Sequence, residues 1–575
     1  MDFSTGHDIF NRLPCDYPRR YLPGNLDAGV FENLRSYLDS LLNAEIRNKE
    51  EFDEWMAKIS ELKAAVYEVY TRRRILATID ASDNDRRLKQ NETLDTLIAP
   101  FENITDRLTE KMLNPTVAGF AKGGPYAFYL DIRRKNTGPV SPENNRLDLE
   151  LIQRMQVYDR TVGSVTIPFD GSEQTFQMLV RYSELPDRRL RESAFRAQWD
   201  RRVAIAPELD TLFDEMFDMR LRMARNAGIR NVTEYQFRAL GRNEYGPVDC
   251  LRLHDAVEQV VLPAVQRLYD RRRRALGLET LKPWDLHSDP KGRPPLKPFS
   301  DIDSLVKGCS RIFHRIDNEL GRQFDRIRQL GLMDLENRPG KTPGASSKTL
   351  PESRLPFIIM NATGTFEDLI LLLHESGHAL HTMARGKQGF YNYRYSPLEF
   401  DETISYSMEL LGSLFFDEIF SGRDLERARR EILQYALTRL MLHTMGDAFQ
   451  HEIYAHADHI PSGRGDTWVR AAARFEPYVD WSGLESYNRV RWQAQRNFFF
   501  APFYFIEYVM ARIAAFQIMR TARKDLTSTV NGLRAAMTLG GSRPLPELFR
   551  TAGIPFDFSA QVIHPLIDTL EASIA

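Results

Sequence analysis

Apolar residues recur three and four positions apart through most of this chain, and that period predicts helices. Between Asn25 and about Arg74 they fall at Leu34, Leu38, Leu41 and Leu42, then at Phe52, Trp55, Ile59 and Leu62. A third helical stretch runs from Asp83 to about Leu113, before Pro115 and Gly123-Gly124-Pro125 break the pattern. Long amphipathic helices bury their apolar stripes by pairing, so an antiparallel helical N-terminal lobe is expected. Helical spacing returns at Arg188–Arg225, Pro247–Gly277 and Ile302–Leu330. From Asp401 it continues to about Ala575, with breaks at Pro461-Ser462-Gly463, Gly540-Gly541 and Pro555.

Other stretches depart from that period. Residues 164–176, SVTIPFDGSEQTF, are short, β-branched and turn-bearing, which reads as a small hairpin or a linker strand. The Pro-rich residues 287–299 read as a loop or connector. Leu355–Met360 is a brief apolar strand that runs straight into the next helix. Its edge is expected along a cleft, where a peptide could extend it through main-chain hydrogen bonds. A strand within a small supporting sheet fits the same residues.

Composition narrows the class. The chain has 575 residues, more than one core usually serves, so two lobes or a large enzyme fold are expected. Lys and Arg number 77 against 79 Asp and Glu, a balance that offers no field for nucleic acid or an anionic membrane. Arg271–Arg274 read as a solvated helix face. No run approaches the roughly 20 apolar residues of a membrane span. The N-terminus lacks the basic start and apolar run of a secretory signal. Cys15, Cys250 and Cys309 are too few and too scattered for a disulfide framework or a zinc cluster, which fits a reducing cytoplasmic setting.

The chemistry concentrates at His374-Glu375-Ser376-Gly377-His378. Thr365 and Asp368 resemble a capping pair that starts this helix. Leu369–Leu373 is apolar on every side, which marks a helix buried among others. Residues four apart on a helix differ by roughly 40°, so His374 and His378 share a face and can take one zinc ion. Glu375 beside them can act as general base. His381 is excluded as a third ligand, because seven residues span about 10 Å of helix axis. The next helix, DETISYSMELL, offers Glu402 as third ligand and Glu409 as an acceptor that would fix a ligand imidazole; a salt-bridged carboxylate is the alternative for Glu409. Tyr504 and Tyr508, four apart, are candidate donors to an oxyanion, or else core aromatics. His451 and His456 lie five apart, so their rings diverge, and with His443 and His459 they read as structural.

The chain resembles the oligoendopeptidase F and thimet oligopeptidase family of zinc metallopeptidases. The resemblance rests on DLENRPGK, LPFIIMNATGTFEDLILLLHESGHALH, the DETISYSMELL helix and RWQAQRNFFFAPFYFIEY, and spans at least Pro247 to Pro555. It implies a mainly α protein with two helical lobes around a deep substrate channel, and a small β-sheet beside the zinc helix. Residues 1–180 would form the N-terminal lobe and residues 181–575 the catalytic region. One Zn2+ per chain would be held by His374, His378 and Glu402, with Glu375 as general base and acid and Tyr504 and Tyr508 near the scissile carbonyl. Oligopeptides would be the substrates; the sequence carries no signal for an oligomeric state.

Two positions depart from the family pattern. Asn497 stands where the family usually has a histidine, and Pro343-Gly344-Ala345 replaces a loop with adjacent glycines and a tyrosine. A peptide-binding scaffold with weakened catalysis, or an exopeptidase on the same frame, are the alternatives to an endopeptidase.

Overall fold

A computed structural model describes residues 10, 12–136, 142–456 and 461–574. His459, residues 1–9 and Asn11 lie outside them. The fold is mainly α, and the elements that position the site follow in chain order.

Helices α1 (Phe31–Asn43), α2 (Lys49–Ile79), α3 (Asn84–Thr93) and α4 (Ala99–Leu113) match the predicted N-terminal helices, with a π-turn at Leu94–Ile98 joining α3 to α4. Ala127–Asn136 and α5 (Pro142–Gly163) are also helical. Periodicity does not predict them, because charged residues crowd both and blur the apolar stripe. Residues 164–176 hold the expected hairpin. Strands β1 (Ile167–Phe169) and β2 (Ser172–Gln174) pair antiparallel about Asp170-Gly171, both at positive φ, as a two-residue turn of this kind requires.

Helices α6 (Arg188–Asn226) and α7 (Pro247–Ala275) follow. The predicted Ile302–Leu330 helix is two, α8 (Ile302–Ile316) and α9 (Asn318–Gln329). Asp317 between them is extended and accepts from the amides of Glu319 and Leu320, which restarts the helix.

The sheet corrects one expectation. Strands β3 (Met333–Glu336), β4 (Ser346–Leu350) and β5 (Leu355–Ala362) are ordered β3-β5-β4, with β3 parallel and β4 antiparallel to β5. The strand feeding the histidine helix is therefore central and has no free edge; it is the supporting strand, buried from Leu355 to Asn361. The outer positions belong to β3 and β4.

From β5 the chain turns at Gly364 (φ 96°) into α10 (Phe366–Arg385). The capping pair closes this turn. Thr365 accepts from the Asp368 amide at 3.3 Å, and the Asp368 carboxylate accepts from the amides of Thr363, Gly364 and Thr365 at 2.8 Å each. Then come α11 (Leu398–Ser413), α12 (Gly422–Ala455), α13 (Phe505–Ala522) and α14 (Ala560–Ile574). A large core joins the sheet to α6–α14 and reaches back to Ile75, Ile79, Met155 and Tyr158. A smaller core lies among α1, α2 and α4 and takes in Phe390 and Tyr393.

Candidate active site and metal centre

The site forms where α10 crosses α11. Gly377 stands between the two histidines, and a Cβ there would meet the Ser405 Cα at 2.6 Å. The helices therefore touch backbone to backbone, which only glycine permits. That approach carries Glu402 under the histidines, its Oε2 3.4 Å from His374 Nε2 and 3.6 Å from His378 Nε2.

Two of the three side chains are held from behind. Glu402 Oε1 accepts from the Tyr504 hydroxyl at 2.8 Å. His374 Nδ1 lies 2.8 Å from Glu409 Oε1, and Glu409 Oε2 accepts from Arg512 at 2.7 Å. The Arg512 guanidinium in turn stacks 3.5 Å from the centre of the Tyr406 ring, which packs against His374. This chain of contacts fixes the His374 ring with Nε2 toward Glu402, the arrangement that orients a metal ligand and sets its tautomer.

A cation fits between the three. One donor atom each from His374, His378 and Glu402 lies within 4.8 Å of the others. Zinc bonds of about 2.0–2.2 Å in a tetrahedron need donors about 3.3–3.5 Å apart, close to the two spacings seen. Glu402 Oε2 is buried and makes no hydrogen bond, so it lacks the partner that a buried carboxylate requires. The field agrees. Burial opposes charge on His374, but the carboxylates of Glu402 and Glu409 outweigh it and raise its pKa to about 10. Burial alone would raise Glu402, yet His378 and His374 hold it below the usual carboxylate range. Positive charge is favoured where these atoms meet.

Glu375 is buried beside them, its Oε2 without a hydrogen-bond partner. Burial raises its pKa, against the pull of His374 and His378. A cavity of about 370 Å³ separates α2 and α5 from residues 342–348, with Arg74, Asp159, Gly344, Lys348 and Arg496 in its walls. Lys348 and Glu375 act on each other electrostatically, and burial lowers the Lys348 pKa to about 7. Gly344 has φ 98° and open space where a side chain would stand, so glycine is needed there for conformation, not packing.

The two tyrosines are not equivalent. Tyr504 is committed to Glu402. Tyr508 accepts from Asn497 Nδ2 at 3.0 Å, which leaves its own proton to be offered elsewhere. Burial raises both phenols well above the ordinary value, so both keep their protons. The helix starts at Phe505, and Phe503 before it sits at φ 63°. That strained residue is pinned at both ends: its amide donates to Gln450 at 3.0 Å and its carbonyl accepts from Arg242 at 2.6 Å.

His381 is fully buried, 2.7 Å from Asp401 and 3.1 Å from Ser396, away from the other two histidines. His443 stacks on Tyr508, and His451 and His456 lie on and just past the end of α12 with different neighbours. Sequence reasoning misses Gly377, Lys348 and Arg512. For Arg512 a signal exists: Tyr504, Tyr508 and Arg512 are successive positions four apart.

Residues 181–565 match the model of peptidase family M3. The chain is 22% identical over 300 residues to an oligoendopeptidase F homolog of Borreliella burgdorferi, covering 50% of this chain and 49% of that one. It is 21% identical over 333 residues to oligopeptidase PepF of Bacillus subtilis, covering 54% and 47%. The aligned stretches thus span about half the length of these curated relatives. Among solved structures, a PZ peptidase A with an inhibitor superposes with a TM-score of 0.89 at 25% identity, over 97% of this chain and 98% of that one.

Proposed function

The chain belongs to peptidase family M3, and on that premise we propose that this peptidase is a zinc-dependent endopeptidase that cuts internal bonds of short oligopeptides. The observation that carries the reading is the convergence of His374 Nε2, His378 Nε2 and the unpartnered Glu402 Oε2. One zinc ion held by these residues would supply Lewis acidity toward the scissile carbonyl and make water a nucleophile at neutral pH.

The remaining work falls to the chain. Glu375 takes a proton from the attacking water on its free carboxylate oxygen and delivers it to the leaving amine. Its burial raises the carboxyl toward the range where both transfers are favourable. Tyr508, its oxygen already satisfied by Asn497, directs its proton to the carbonyl oxygen as charge builds there. Tyr504 and the Glu409–Arg512 pair are positioning residues, the first for Glu402 and the second for His374. The peptide lies along β4, an outer strand, whose Ser346 and Lys348 line the cleft. Its walls are the proposed lobes, residues 1–180 and 181–575.

The three cysteines are free, and no helix among the described residues is long and apolar enough to cross a membrane. Both fit the cytoplasmic setting we propose. The test is mass-spectrometric mapping of cuts in a mixed peptide library, run with wild type and Glu375→Gln, beside a zinc assay. Internal cuts that vanish in the variant while zinc stays bound are expected. Cuts confined to termini would make it an exopeptidase; zinc without cuts would make it a binding scaffold.

A further inference from the structure

A second set of metal-ligating side chains lies where α7 packs against α12. Cys250 and His254 are one turn apart on α7, and Asp447 and His451 are one turn apart on α12. A donor atom each from Cys250, Asp447 and His451 lies within 4.8 Å of the others. His254 Nε2 is 2.8 Å and His451 Nε2 3.3 Å from the same oxygen of Asp447. We propose that Cys250, Asp447 and His451, with His254 as the fourth side chain of the set, form a second, structural site for a thiophilic divalent cation such as zinc.

Burial and unmet bonding point to a ligand. Cys250 and His254 are 1% exposed and Asp447 0%, and the His451 side chain is 10% exposed. Asp447 Oδ1, His451 Nε2 and His254 Nδ1 all lack hydrogen-bond partners. The walls are apolar: Phe503 and Phe237 pack on His451, and Phe475 on His254. Unmet polar atoms buried in such surroundings are costly to a fold.

The charges close with a divalent cation. The Cys250 S–H bond breaks, its proton leaves to solvent, and sulfur bonds the metal. The thiolate and the Asp447 carboxylate then match the two positive charges, while both imidazoles stay neutral. Thiolate, imidazole and carboxylate together suit zinc over calcium or magnesium. The site would staple α7 to α12 beside Phe503, the strained residue that precedes Tyr504.

Cobalt provides the probe, because only a thiolate ligand gives the near-ultraviolet sulfur-to-cobalt charge-transfer band. The His374–His378–Glu402 cluster has no sulfur, so the band is independent of the peptidase site. Full-length protein, stripped of metal and titrated with Co2+, should bind about two equivalents and show the band. Glu402→Gln should keep the band, and Cys250→Ser should lose it together with about one equivalent. Wild-type protein with no such band overturns the proposal, whatever the variants do. A band that survives Cys250→Ser also overturns it, since the sulfur would be another cysteine.

Discussion

The α10–α11 crossing and the α7–α12 contact use the same device. Each sets donors one turn apart on one helix against carboxylate or imidazole groups on its neighbour. They differ in what surrounds the donors. At α10–α11 the imidazoles are part-exposed toward the tyrosines, Glu375 stands beside them and Lys348 of the cleft wall acts on Glu375 electrostatically. At α7–α12 the donors are closed in by phenylalanines, and the carboxylate that is present bridges two histidines. Ligand spacing thus creates a place for a cation. On the proposed reading, a general base beside it would make that place an active site, while closure would make it a staple.

The strongest way to break this contrast is Glu375→Gln. If the free base is what separates the two regions, peptide hydrolysis should fall by about 10²–10⁴ with zinc still bound. Retention of the wild-type rate would remove the distinction. Next comes Tyr508→Phe, which takes away the phenol proton offered to the oxyanion. A loss of about 10²–10³ in kcat is expected, with KM little changed. An equal loss confined to KM would make Tyr508 a binding contact. Glu409→Gln should weaken zinc binding or activity by about 10- to 100-fold, read by competition with a chelator. The buried Arg512 loses its counter-ion in that variant, so Glu409→Gln/Arg512→Met serves as the companion. Unchanged zinc affinity in both would mean that the His374 ring needs no support from behind.

These regions were not equally legible in the sequence. Spacing on a single helix is a geometric statement, which is why His374, His378 and the capping pair could be named in advance, and why His381 could be set aside. Contacts between distant helices have no such period. Arg512 reaches Glu409 across 103 positions, and Glu402 was named from its neighbouring helix and the family pattern. The β5 expectation erred because an apolar run reports burial and is silent about which neighbours occupy its edges. The α7–α12 cluster was hidden by counting cysteines: one thiol with two histidines and an aspartate makes a donor set that cysteine arithmetic does not see. His451 was compared with His456, five positions on, when its partner was Asp447, four positions back.

The smallest expected effect, at Asn497, sharpens what openness means. Asn497 gives the Tyr508 hydroxyl oxygen a hydrogen bond at 3.0 Å, which frees the phenol proton for the substrate. A neutral imidazole can make the same bond with a ring N–H, so Asn497→His should hold kcat/KM at neutral pH within about tenfold. The difference should emerge with pH. A histidine with an ordinary pKa of about 6.5 gains a proton as pH falls, and the resulting cation beside Tyr508 strengthens the phenol as a donor. Arg496 is next in the chain, but its charge is matched by two bonds of 2.7 Å to Asp159, which limits its opposition to that cation. The variant's pH–rate profile should therefore gain an inflection near pH 6 to 7, with higher relative activity on its acid side than wild type shows. A profile that overlays wild type would mean that Asn497 only fills space. A fall beyond about 10² at every pH would mean that the amide bond to Tyr508 is as exacting as those in a closed site, and the contrast between the two regions would then rest on Glu375 alone.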